Sequence, residues 1–226
     1  MIVGMDIVFV SPIRVIARLA VIWTEEGFLS TILFSFMRIV LGFLIAFTLG
    51  TVLAVLACRF PFLETLLWPY VITIKSVPVA SFIIISLIWL KSSHLSAFIS
   101  FLMVFPVIYS NVLSGMKNTD PKLLEMAELY RVRWARKLLY LYLPSVRPYL
   151  VSACSIALGM SWKSGIAAEV IGVVAGSIGE RLYTSKIYFQ TADLFCWTVI
   201  IVLVSVLFEK LFLFLLKRVF TRLERL

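Results

Sequence analysis

Two charged side chains, Lys163 and Glu169, interrupt the otherwise apolar run from Pro148 to Ile171. Lys75 does the same between Phe62 and Leu90, three residues before Pro78. An ionised group inside a bilayer costs about 3 kcal/mol or more, so each must meet a partner, water or a solute. Lys163 and Glu169 are six residues apart, about 9 Å along a helix and on different faces, so they are not a simple pair. Lining a solute pathway is the functional reading for Lys75, Lys163 and Glu169. Snorkelling to an interface is the alternative for Lys75 and for Arg38. Other chemistries are excluded by residue type. His94 is the single histidine, so no site needing two can form; beside Ser92, Ser93 and Ser96 it reads as a solvated loop residue. Cys58, Cys154 and Cys196 are scattered through apolar runs without a CxxC, which argues against a disulfide framework or zinc site and for packing. The chain has no G-x-x-x-x-G-K-[ST] and does not cradle ATP phosphates itself.

The elements that carry these groups follow from composition. Of 226 residues 62% are hydrophobic and 15% charged, with a mean hydropathy of +1.06. Soluble domains hold roughly 45–50% apolar and about 25% charged residues, so this is a membrane protein. Five spans are expected. Leu29–Cys58 is the first, Phe62–Leu90 a short interfacial piece leading into a kinked second, and Ser92–Met116 the third. Pro148–Ile171 is the fourth and Leu194–Leu216 the fifth. Met1–Val10 lacks a cleavage pattern and is not a secretory signal. Ile13, Ile16, Ala17, Ala20 and Trp23 recur at helical spacing with Arg14 and Arg18 elsewhere, a helix lying in the interface. Gly42, Ala46 and Gly50, like Ala157, Ser161 and Gly165, repeat every four residues, as close helix packing requires.

The net charge of +9 does not signal nucleic acid, because Lys and Arg sit between apolar runs. Five spans put twelve of them on one side, chiefly in Lys117–Arg147 and the C-terminal tail, and five on the other. The positive-inside rule then makes that segment cytoplasmic and the N-terminus external. Within it, Asp120-Pro121 is a helix start, with Asp120 as N-cap and Pro121 in the first turn. Leu123, Ala127 and Tyr130 share one face. A second short helix carries Trp134, Leu138 and Tyr142, and Pro144 is expected to end it. Two short amphipathic helices on a membrane surface are suited to pressing against a partner; a loop lying on anionic lipid is the plainer alternative.

At these residues the chain resembles the membrane subunits of binding-protein-dependent ABC importers, whose cytoplasmic signature is E-A-A, three residues, G, nine residues, I-x-L-P. Glu125-Met126-Ala127 supplies the triplet, Arg131 occupies the glycine position, Leu141 the isoleucine position, and Leu143-Pro144 closes it. Met126 and Arg131 depart from the pattern; Arg131 must turn without glycine's freedom at positive φ. Ser35–Phe43, Lys75–Ala80 and Leu158–Trp162 followed by Ala167–Gly172 resemble further motifs of the nitrate/sulfonate/taurine-type branch. The branch's usual first span is expected to be missing upstream of Met1.

The resemblance implies an all-α, polytopic type I importer fold: residues 1–28 an N-terminal interfacial segment, 29–220 the transmembrane domain with a coupling loop at 117–147, and 221–226 a cytoplasmic tail. It implies a bacterial inner-membrane permease that is not itself an enzyme. Its implied partners are a dimer of ATPase subunits using ATP and Mg, an extracytoplasmic substrate-binding protein, a second copy of the chain and the bilayer. Leu123, Leu124 and Ala127 would form the docking face, Glu125 its polar anchor, and Leu143-Pro144 the exit, with Met126 and Arg131 between. Lys75, Pro78, Trp162, Lys163 and Glu169 are the candidate pathway residues; Glu180, Arg181 and Lys186 lie in an outer loop that would face the binding protein. An ATP-independent secondary transporter is the alternative, but the internal repeat it would show is not seen.

Overall fold

The structure, a computed structural model, describes residues 10–223. The expectations for residues 1–9 and 224–226, at the two ends of the chain, lie outside the described residues. The elements are α1 (Pro12–Ile22), α2 (Phe28–Arg59), α3 (Pro61–Ser76), α4 (Val79–Trp89) and α5 (Ser92–Lys117). They continue with α6 (Pro121–Leu129), α7 (Trp134–Lys137), α8 (Leu143–Gly172), α9 (Ile178–Ile187) and α10 (Thr191–Leu223). Among the described residues no strand occurs.

Among the described residues four stretches are long and apolar enough to cross a membrane: Phe28–Arg59, Ser92–Lys117, Trp134–Gly172 and Thr191–Arg222. The pair α3 and α4 makes a fifth if its two arms are counted together, which gives the expected number. The arms meet at 107°, far beyond a proline kink. The cause is local: Pro78 has no N–H to continue the helix, and Val77 before it is extended at φ −80°, ψ 133°. With 11 residues, α4 reaches only about 16 Å, short of a full crossing.

The chain divides into two compact units, and α2, α5, α8 and α10 each contribute residues to both. Among the described residues the first unit comprises 10–42, Pro78–Ser100 and Ser161–Leu207. Its core gathers Ile22, Ile39, Trp162, Ile166, Ile178, Trp197 and Ile200. Gly42 is required there by space, since a Cβ would sit 2.2 Å from the Ala97 carbonyl oxygen, and at Gly165 one would meet Ile39 and Ser100. Val15, Leu19 and Ile22 turn α1 toward this core, leaving Ile13, Ile16 and Trp23 exposed. Arg18 ties the same helix to Asp193 of α10 and to Glu25; its bond to Asp193 raises the guanidinium pKa further.

Among the described residues the second unit comprises Phe43–Val77, Phe101–Met160 and 208–223. Phe43, Phe47, Phe208 and Phe212 form an aromatic cluster, with Phe43 and Phe212 edge to face at 4.9 Å. Gly50 lets α2 approach Ile108 of α5. The repeated small residues thus serve packing within the chain, and their faces are already filled by its own helices.

Candidate functional site

Helix α6 is fastened at both ends. The Asp120 carboxylate accepts the Lys122 N–H at 2.9 Å, the N-cap expected from the sequence. At the other end the Val132 N–H reaches the Ala127 carbonyl and the Arg131 N–H the Glu128 carbonyl, both at 2.9 Å. This is a Schellman cap, and its left-handed residue is Arg131 at φ 51°. Arginine therefore adopts the very conformation for which glycine is ordinarily used, at a cost of about 1 kcal/mol.

The orientation of α6 follows from burial. Ala127 is buried and Leu124 half-buried against the chain, whereas Leu123, Met126, Leu129 and Tyr130 face outward, the last two at 81% and 74% exposure. Glu125 is exposed beside them. The open apolar surface is thus Leu123, Met126, Leu129 and Tyr130 rather than the whole set Leu123, Leu124 and Ala127. Lys137 of α7 lies 3.6 Å from Glu128 of α6, and the Arg59 guanidinium at the end of α2 sits 5.6 Å over the Trp134 ring, so α6 is tied to α7 by charge and α7 to α2 by stacking.

Pro144 does not end the second helix of the loop. One π turn, Leu138–Tyr142, links α7 to α8, and the helix runs on to Gly172. The wider turn restarts the hydrogen-bond ladder at Leu143, which puts Pro144 in the first turn of α8, where a missing N–H is tolerated. The segment from Trp134 onward is one continuous rod.

The intramembrane residues separate into closed and open. Glu169 is fully buried: its Oε2 accepts the Ser35 hydroxyl at 2.7 Å and the Gly179 N–H at 3.3 Å. The Ser35 oxygen in turn accepts the Ile178 N–H at 2.9 Å, and Ser177 accepts the Glu180 N–H at 3.1 Å. Every free donor of the first turn of α9 therefore has an acceptor, with a carboxylate at the positive end of the helix. Gly179 is needed for this approach, because a Cβ there would lie 2.3 Å from Glu169 Cβ. Trp162 is buried against Phe36, with ring centroids 6.0 Å apart. By contrast, Lys163 is exposed on α8, one turn from Gly159, around which a Cβ would meet nothing within 4 Å. Lys75 is exposed at the end of α3 and donates to Ser110 at 2.8 Å; Pro78 caps α4. The bonds of Glu169 join residues 134 and 10 positions away, separations that no local sequence pattern announces.

The chain is similar to known proteins over most of its length. Residues 46–225 match the family described as binding-protein-dependent transport system inner membrane component. The permease SsuC of Bacillus subtilis (strain 168) is 27% identical over 81% of this chain and 66% of its own length. The taurine transport system permease protein TauC of Escherichia coli (strain K12) is 24% identical over 88% and 74%, and the nitrate import permease protein NrtB of Leptolyngbya laminosa 26% over 73% and 58%. The chain thus spans just under two thirds of the first of these. A crystal structure of an amino acid ABC transporter with histidines shares the fold, at a TM-score of 0.67 over 90% of this chain and 97% of that one, with 17% identity. The chain belongs to the family of binding-protein-dependent transport system inner membrane components, as a multi-pass helical permease subunit.

Proposed function

We propose that this permease subunit works as a dimer and imports a small solute by coupling its spans to a separate ATPase, with α6 as the contact. The observation that carries this reading is the bare apolar face of α6, Leu123, Met126, Leu129 and Tyr130, on a helix too firmly capped to be a slack loop. A face of that kind fits a groove in a partner. Glu125 lies at its edge as polar anchor, Leu124 and Ala127 support it from behind, and Arg131 fixes its exit. The rod through Leu143 and Pro144 then transmits displacement of α6 directly into α8. ATP and Mg belong to the ATPase dimer.

Lys163 supports the second copy. A charge exposed on a spanning helix does not face hydrocarbon, so that side of α8 turns toward a water-filled route or a mate chain. Lys75 and Lys163 are the open pathway residues, with Pro78 setting the bend. Trp162 and Glu169 act from behind as packing and clamp. The loop 117–147 and the C-terminus are cytoplasmic in this reading and the N-terminus external, where a substrate-binding protein delivers the solute. The relatives' names support nitrate- or taurine-like solutes. Capture of the tagged chain together with an ABC ATPase subunit tests the proposal: an ATPase that comes down with it supports the reading, and transport sustained without any ATPase contradicts it.

A further inference from the structure

We propose that α9 is held by a releasable latch: the Glu169 carboxylate, which grips Ser35 and Gly179, passes to Arg38 when the turn at Val173 relaxes. All five residues lie in the first unit.

The grip leaves bonding capacity unused on two sides. Glu169 uses Oε2 for the Ser35 hydroxyl and the Gly179 N–H, while its buried Oε1 has no hydrogen-bond partner among the described residues. Arg38 follows Ser35 by three positions on α2 and so lies on the same face, one turn along. Its guanidinium stacks 3.5 Å over the Phe34 ring, and its Nη1 is buried without a partner among the described residues. The Arg38 and Glu169 charges act on each other, yet these two atoms form no hydrogen bond. Buried polar atoms are almost always paired, and a guanidinium is the strongest partner a carboxylate can find. Here the two are neighbours held apart.

The turn after α8 supplies a reason to move. Val173 sits at φ 44°, a left-handed conformation that a β-branched residue rarely adopts. The Val174 N–H closes this turn on the Glu169 carbonyl at 3.1 Å, so the strained cap and the grip are anchored on one residue. The Ser177 N–H returns to the Val174 carbonyl at 3.1 Å, which leads straight into α9. Backbone strain of this kind gathers in segments that switch. Releasing the first turn of α9 relieves Val173, and Arg38 replaces the lost donors so that the carboxylate is never left bare. That the release belongs to the transport cycle rests on the function proposed above; the latch itself does not.

The test uses the full chain in lipid nanodiscs. Val173→Gly removes strain from the gripped state, so hydrogen exchange should slow several-fold at the Ile178 and Gly179 amides as well as at Val174. Slowing confined to Val174 overturns the proposal, because the cap would then be independent of the grip. A double-mutant cycle on thermal unfolding, with Arg38→Met and Glu169→Gln, is run in the wild type and in Ser35→Ala. Coupling between Arg38 and Glu169 should be small in the wild type and grow clearly once Ser35→Ala loosens the grip. Equal coupling in both backgrounds overturns the proposal, and a fixed water bridging the two groups gives that result. Solute-stimulated ATP hydrolysis on the reconstituted complex separates the two readings. Slowed exchange with unaltered stimulation in Val173→Gly removes the latch from the cycle, and no stimulation in the wild type removes the coupling alone.

Discussion

The Ser35 hydroxyl and the Glu169 carboxylate meet at 2.7 Å across 134 positions of sequence, and the same serine oxygen receives the Ile178 N–H. Two spanning helices and the start of α9 are thereby closed on one buried point. Glu169→Leu removes an acceptor used by both Ser35 and Gly179 and strands each donor at about 1–3 kcal/mol. Glu169→Gln keeps a carbonyl oxygen in place. The leucine variant should unfold at a clearly lower temperature than the glutamine variant in a detergent melt; equal melting points would show that the bonds carry no weight.

Arg131 occupies a left-handed cap position at φ 51°. Arg131→Gly relieves the Cβ clash and should stabilise the end of α6 by about 0.5–1 kcal/mol. Slower hydrogen exchange at the Val132 amide, which closes the cap on Ala127, is the expected signature. Faster exchange there would contradict the assignment.

The glycines allow a paired test. Gly42→Ala places a methyl carbon 2.2 Å from the Ala97 carbonyl oxygen and should sharply reduce the yield of folded chain. Gly159→Ala meets open space and, by helix propensity, should stabilise by up to about 1 kcal/mol. If α8 faces a mate chain at that level, Gly159→Leu keeps the single-chain fold but lowers the dimer fraction in native mass spectrometry or the transport rate.

Much of this was legible because it is local. Asp120-Pro121 announces the start of α6 by capping chemistry, Pro78 the break after α3, and the four-residue spacing of Gly42, Ala46 and Gly50 a close helix contact. What escaped depends on distant partners or on subtle backbone choices. Pro144 looks like a terminator until a π turn shifts the ladder by one residue. Which side of α6 is bare depends on what Ala127 packs against, and periodicity alone does not tell an inner apolar face from an outer one. Glu169 looks like a pathway charge because Ser35 and Gly179 are remote in sequence.

In the proposed function α6 receives the stroke of an ATPase. ATP hydrolysis by the reconstituted complex with Leu123→Asp and Met126→Asp tests this, against Phe62→Asp as an exposed control on α3, outside the loop 117–147. The two α6 variants should abolish solute-stimulated hydrolysis and release the ATPase on purification, while the melting temperature stays within a few degrees and the control behaves as wild type. Full stimulation and retained ATPase in both α6 variants would contradict it.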